Sequence, residues 1–247
     1  MVSTNTTLVL GATGATGRHL VGKLLEASQS VKVIVRSKAK ISELIPDNDK
    51  LLIVESAVLD MQDSQFQECV NGCDCIVSCL GHNMNLKGMY GKPRKLVTDS
   101  VKKVCTAVKN SHPDTPVKII LMGSNGVANP DGSDNLRPLS ERALLGVIRT
   151  LVPPHSDNES AAAYLSVDVS EKDPDVEWVV VRPDELIEGS VSSYEVLSKP
   201  GKGLFGGGKT TRANVADFMA DLILNDATWN QWKYQMPVPS NKNEAFN

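Results

Sequence analysis

Seven residues near the start constrain this chain more than any others: Gly11, Ala12, Thr13, Gly14, Ala15, Thr16 and Gly17. They follow a short apolar run, Leu8 to Leu10, and precede an amphipathic stretch that begins at about Arg18. The order is strand, glycine turn, helix. A turn this tight points backbone amides outward at a helix N-terminus, where the helix dipole and unpaired N–H groups attract a phosphate. Gly11 permits the bend, Gly14 a close approach of the backbone to a pyrophosphate, and Gly17 close packing of helix on strand. A glycine triplet alone is weak; its place after the first apolar run and before a helix gives it meaning. The expectation is dinucleotide binding on a doubly wound α/β (Rossmann) sheet.

The second apolar run, Val31 to Val35, ends in Arg36, Ser37 and Lys38. In a dinucleotide fold the tip of the second strand meets the adenosine ribose. A carboxylate there binds a free 2′-hydroxyl; a guanidinium pairs with a 2′-phosphate. With Arg36 at the tip and no carboxylate opposing it, the expected cofactor is NADP. The competing reading is an ordinary solvated basic loop.

The 247 residues suffice for one large domain, residues 1–247, with 184–247 supplying most of a small C-terminal substrate lobe. A net charge of −3 gives no basic excess for nucleic acid or a lipid surface. No apolar run reaches membrane-spanning length, and the polar MVSTNTT start lacks a signal peptide's apolar core, so a cytoplasmic protein is expected. The expected state is a monomer or weak homodimer. Cys69, Cys73, Cys75 and Cys79 crowd together without a CxxC pair, and the last three share one parity of a predicted strand. Metal ligands converge from turns, so buried reduced thiols are expected and no metal.

Further strands are predicted at Leu51–Glu55, Asp74–Leu80, Val117–Met122 and Val176–Val181, with a shorter one at Ser192–Leu197. Helices are predicted at Lys38–Ile45, Lys95–Asn110, Ser140–Leu151, His155–Val169 and Arg212–Asn225. Asp60, just past the third strand, is placed either to meet adenine or to cap the helix in MQDSQFQECV. His82 to Pro93 is a candidate lid, and His82 is either chemical or a surface histidine. Leu86, Met89, Tyr90, Leu204 and Phe205 are candidates for an apolar pocket. Gly203 to Thr210, GLFGGGKT, fits a phosphate-loop pattern, but LSKPGK before it is no strand. A glycine hairpin is expected there, with Thr211 or Asn214 capping the next helix.

Together GATGATG, VIVRS, SCLG, IILMGSNG and VVVRPDEL resemble the atypical short-chain dehydrogenase/reductase proteins, in the NAD(P)-binding NmrA-like and biliverdin-reductase-B-like branch. The resemblance covers roughly Leu8 to Phe218. It implies that Gly11, Thr13, Gly14, Ala15, Thr16 and Gly17 hold the pyrophosphate, and that Arg36, with Ser37 and Lys38, holds the 2′-phosphate. Asp60 and Met61 would meet adenine, and Cys79, Leu80 and Gly81 the nicotinamide-side ribose. Ser124 would occupy the active-site serine position, within reach of the cofactor, and Pro183 would lie near the carboxamide.

The chain departs from that family at its Tyr-x-x-x-Lys pair. The only tyrosine before the sixth strand in that region is Tyr164, followed four residues on by Asp168, while His155 and Glu159 fall near the usual positions. A carboxylate raises a tyrosine's pKa where a lysine would lower it, so Tyr164 does not suit the usual role. Three mechanisms stay open. In the first, hydride passes to a small carbonyl or conjugated substrate, Ser124 orients its oxygen and His155 supplies the proton. In the second, solvent is the acid and the protein positions the reactants. In the third, the nucleotide is structural or regulatory, as in a sensor. A cofactor-retaining isomerase or cyclase is a further alternative, and His155 is otherwise only a helix-start residue.

Overall fold

The computed structural model describes residues 5–82, 90–132, 134, 146, 152–200 and 208–242. In chain order the elements are β1 (Thr6–Leu10), α1 (Gly17–Glu26), β2 (Ser30–Val35), α2 (Lys38–Leu44), β3 (Leu51–Glu55), α3 (Asp63–Val70) and β4 (Cys75–Ser78). Next come α4 (Leu96–Ser111), β5 (Val117–Met122), α5 (Pro153–Ala163) and β6 (Val176–Val181). The chain closes with β7 (Glu185–Ile187), β8 (Tyr194–Leu197), β9 (Lys209–Thr211), α6 (Arg212–Leu224), α7 (Asp226–Trp232) and β10 (Val238–Asn241).

Six strands form one parallel sheet in the order β3-β2-β1-β4-β5-β6. Strands buried on both faces read as nearly unbroken apolar runs, which is why VKVIV, VKIILM and VEWVVV are legible. Alternate residues serve the two faces. Leu8, Leu10, Ile76, Ile119 and Leu121 pack with α3, α4 and α5. Val9, Val33, Val77, Ile120 and Val179 pack with α1, α2, α6 and α7. Leu20 and Leu24 of α1 are fully buried, each contributing about 1.5–3 kcal/mol. The order reverses between β1 and β4, so the crevice outside their carboxyl ends is where such sheets bind ligands.

Several boundaries differ from expectation. Cys73 precedes β4 and packs on the α3–α4 face, whereas Cys75 and Cys79 pack on the other, so the three do not share a face. The cap position of α3 is Gln62, which removes the capping alternative for Asp60. The helix expected from His155 starts two residues earlier, because Pro153 and Pro154 occupy its first positions, where a missing N–H costs nothing. It runs on as a π-helical stretch, Tyr164–Val169. Part of the 184–247 segment covers the sheet itself: Val215, Phe218 and Leu222 of α6, with Trp229 and Trp232 of α7, join the main core. Thr211 caps α6 by accepting from the Asn214 amide. The decoy loop ends in β9, where Thr210 is fully buried and Lys209 lies in a strand, not at a helix start. The predicted helix Ser140–Leu151 lies outside the described residues apart from Gly146. No helix among them is long and apolar enough to cross a membrane.

One buried ion pair fastens the far end of the crevice. Arg182, just past β6, is 0% exposed. Its guanidinium donates to Asp134 Oδ2 at 2.5 Å, to the Val127 carbonyl at 2.9 Å and to the Met236 carbonyl at 2.9 Å. The loop after β5 and the segment before β10 are thus tied to β6. Replacing one member leaves the other charged, buried and unpaired, so Asp134→Ala should cost about 3–5 kcal/mol in urea unfolding.

Burial also governs the thiols. It raises Cys73 to about 11 and Cys79 and Cys105 to about 12. A folded thiol then keeps its proton at pH values where the unfolded chain has released it. That contribution is complete below the ordinary thiol value of 9.0 and is lost as pH rises toward 12. Under reducing conditions, unfolding free energy should fall between pH 8 and 10 by a total that shrinks by about 1 kcal/mol in Cys105→Ala.

Candidate functional site

The site is built from the carboxyl ends of the parallel strands, beginning with the glycine turn. Gly11 sits at φ +78°, and a Cβ there would stand 2.5 Å from the Cys79 carbonyl oxygen. A Cβ on Gly17 would collide with the Gly11 carbonyl oxygen, and one on Gly14 would lie 3.0 Å from that atom. The Gly14 amide donates to the same oxygen at 2.9 Å, closing the turn. So Gly11 and Gly17 let β1, the exit of β4 and α1 converge, and Gly14 closes the bend. The first turn of α1 holds no acidic side chain, and Thr16 at its cap makes no side-chain capping bond. Among the described residues, no acceptor in the chain takes the amides of Thr13, Ala15 and Thr16. The result is a backbone cradle with outward donors, which fits a pyrophosphate.

Beside the cradle, Cys79 is buried and its amide donates to the Leu10 carbonyl at 2.9 Å. Leu80 packs on the core, while Gly81 is exposed. These residues offer backbone, not thiolate chemistry, since burial raises the Cys79 thiol to about 12. At the other edge, Arg36 and Lys38 are exposed and Ser37 caps α2 by accepting from the Lys40 amide at 3.3 Å. One expectation is corrected there. A carboxylate does stand at this corner: Glu55, the last residue of β3, accepts the Lys38 amide at 3.0 Å. Asp60 is exposed in the turn before α3, and Met61 is buried.

Past β5, Ser124 and His155 both border Gly126. A Cβ on Gly126 would lie 3.5 Å from Ser124 Oγ, 3.1 Å from His155 Cε1 and 3.5 Å from His155 Nδ1. Gly126 is thus the gap across which hydroxyl and imidazole face the same space. His155 Nε2 is buried without a hydrogen-bond partner, and Glu159 Oε1 stands 3.5 Å away, within ion-pair distance. Pro183 is buried, and its carbonyl accepts the Asn125 amide at 2.9 Å. Asn125 Nδ2 also donates to Asp184 Oδ1 at 2.6 Å.

Tyr164 does not join them. It packs on the α4 side of the core with Lys102 Nζ 5.2 Å from its ring centroid. Burial, then Cys105, raises its pKa, and Asp168 and Asp173 push the same way. A tyrosine there is a poor proton donor.

The sequence reading missed Asp157. It is 3% exposed, accepts from Val97 N, Thr98 N and Thr98 Oγ1 at 2.8, 3.0 and 2.6 Å, and shares a hydrogen bond of 2.8 Å with His82 Nε2. Its carboxyl group thus gathers two backbone amides, a hydroxyl and an imidazole nitrogen at one buried point. Asp157 therefore caps α4 from another helix and ties down the exit of β4. The available signal was negative: Lys95 at the cap position of α4 makes no side-chain cap bond, so an acceptor had to come from elsewhere. Of the candidate pocket residues, Leu86, Met89, Leu204 and Phe205 lie outside the described residues, and Tyr90 is 49% exposed. Among the described residues no three His, Cys, Asp or Glu side chains gather as metal ligands.

A family described as NAD(P)H-binding matches residues 11–226. Among curated proteins, the chain is 25% identical over 151 residues to an Arabidopsis thaliana chloroplastic homolog of the epimerase family protein SDR39U1. That match covers 58% of this chain but only 42% of the relative's length. Solved structures share the fold. They include a short-chain dehydrogenase/reductase from Veillonella parvula (TM-score 0.69, 11% identity, 97% of this chain and 95% of that one). ChuY, an anaerobillin reductase from Escherichia coli O157:H7, superposes with a TM-score of 0.67 at 16% identity, over 97% and 98% of the two chains. The oxidoreductase ylbE from Lactococcus lactis gives 0.65 at 16% identity, over 96% and 91%. With the glycine cradle, the strand order and this family match in hand, the chain belongs to the NAD(P)H-binding atypical short-chain dehydrogenase/reductase family.

Proposed function

We propose that the protein is an NADPH-dependent reductase acting on a small carbonyl or conjugated organic acceptor. The observation that carries this reading is the meeting of Ser124 Oγ and the His155 ring across Gly126, at the carboxyl ends of the strands. The bound cofactor would supply the hydride. The chain's part is to hold, orient and protonate. The amides of Thr13, Ala15 and Thr16 suit the pyrophosphate, and Arg36 and Lys38 suit a 2′-phosphate. Ser124 would donate a hydrogen bond to an acceptor oxygen. His155 turns its Nδ1 edge toward the same space, and an imidazole there can hand on a proton. Asp157 keeps α5, which carries His155, docked on α4 and on the exit of β4. The family membership and the likeness to reductase folds support this reading.

Two measurements test it. Gly11→Ala forces a side chain onto the Cys79 carbonyl at a positive φ. It should weaken NADPH binding at least tenfold by fluorescence titration. With a panel of quinones, enals and ketones, loss of NADPH absorbance should reveal turnover. On an accepted substrate, His155→Ala should lower kcat about a hundredfold with NADPH affinity unchanged. Unchanged turnover in His155→Ala removes the proton assignment. Tight NADPH binding with no acceptor reduced favours a non-catalytic sensor.

A further inference from the structure

The corner between β2 and β3 carries a charge that the cradle does not explain. Parallel pairing sets Val35 beside Glu55, and the Ser56 amide donates to the Val35 carbonyl at 2.8 Å. The last residue of β3 therefore stands next to the residue that precedes Arg36. Glu55 is exposed, yet its Oε1 reaches across to take the first amide of α2, that of Lys38, at 3.0 Å. Ser37 Oγ takes the amide of Lys40. Both amides are thus occupied by the chain itself.

Three cations share the corner, Arg36, Lys38 and Lys40, all exposed. Among the described residues none of them forms an ion pair with Glu55, whose hydrogen-bond partner is the Lys38 amide. One carboxylate oxygen is spent on that amide, and the second remains an acceptor. A ribose 2′-hydroxyl is a donor and suits such an oxygen. A 2′-phosphate is an anion, drawn by Arg36 and Lys38 and repelled by Glu55.

We propose that Glu55, from the neighbouring strand, is a specificity-determining residue of the cofactor site. It accepts the 2′-hydroxyl of NADH and weakens the hold on the 2′-phosphate of NADPH. The protein accordingly takes both nucleotides, with a narrower preference for NADPH than Arg36 and Lys38 alone would impose. The inference rests on the cofactor reading above and adds the residue that limits it. One surface charge a few ångströms from a phosphate changes its binding roughly three- to tenfold, less as salt rises.

The test is calorimetric titration of NADPH and NADH into the wild type, Glu55→Gln and Glu55→Asp, at low and high potassium chloride. Glutamine keeps an acceptor for the Lys38 amide and removes only the charge. Glu55→Gln should bind NADPH roughly three- to tenfold tighter and NADH no tighter than the wild type, with the gain shrinking at high salt. Glu55→Asp, still charged, should not gain. Matching melting temperatures establish that the variants are folded. Unchanged or weaker NADPH binding in folded Glu55→Gln overturns the proposal, as does an equal change for both nucleotides, which would make Glu55 a brace of the turn. If the wild type binds neither nucleotide, the cofactor reading itself fails, an outcome distinct from loss of the Glu55 effect alone.

Discussion

The crevice of this molecule depends on backbone packed against backbone. Gly11 lies so near the Cys79 carbonyl, and Gly17 so near the Gly11 carbonyl, that neither position has room for a methyl group. That contact sets the distance between β1, the exit of β4 and the start of α1. It leaves the first amides of α1 facing outward instead of into a side chain. The crevice follows from it, because the order of strands reverses at this point in the sheet.

Around that contact, polar residues buried away from water fix the loops. Arg182 and Asp134 hold the loop after β5 against β6 and the C-terminal segment. Asp157 holds α5 against α4 and His82. Each is a buried ionisable group held by several hydrogen bonds, the condition under which burying it is tolerable. Removing one partner costs far more than the pair contributes in net stability, so both act as devices of position. The hydroxyl and imidazole at Gly126 inherit their placement from these two fastenings.

Much of this was legible in the sequence, for physical reasons. Strands covered on both sides must be apolar along their length, so β5 and β6 were readable to the residue at both ends. The glycines were readable because a positive φ and a backbone contact exclude other side chains. Ser124 and His155 were pointed to by the family resemblance and not by any period, and both border Gly126. What stayed hidden depends on partners remote in sequence. Asp157 looks like a helix-start residue, but it caps a helix some sixty positions away. Glu55 reads as the end of a strand, and only the pairing of β2 with β3 brings it beside Arg36. Short strands such as β7 and β9 carry too few residues for a period to show.

The most direct measurement of the central claim is a nuclear magnetic resonance titration of the 15N-labelled protein with NADPH, following individual backbone amides. The account predicts that the amides of Thr13, Ala15 and Thr16 shift together and saturate at the same nucleotide concentration. NADPH binding that leaves these three resonances in place, while moving amides at the opposite, amino-terminal edge of the sheet, would contradict it.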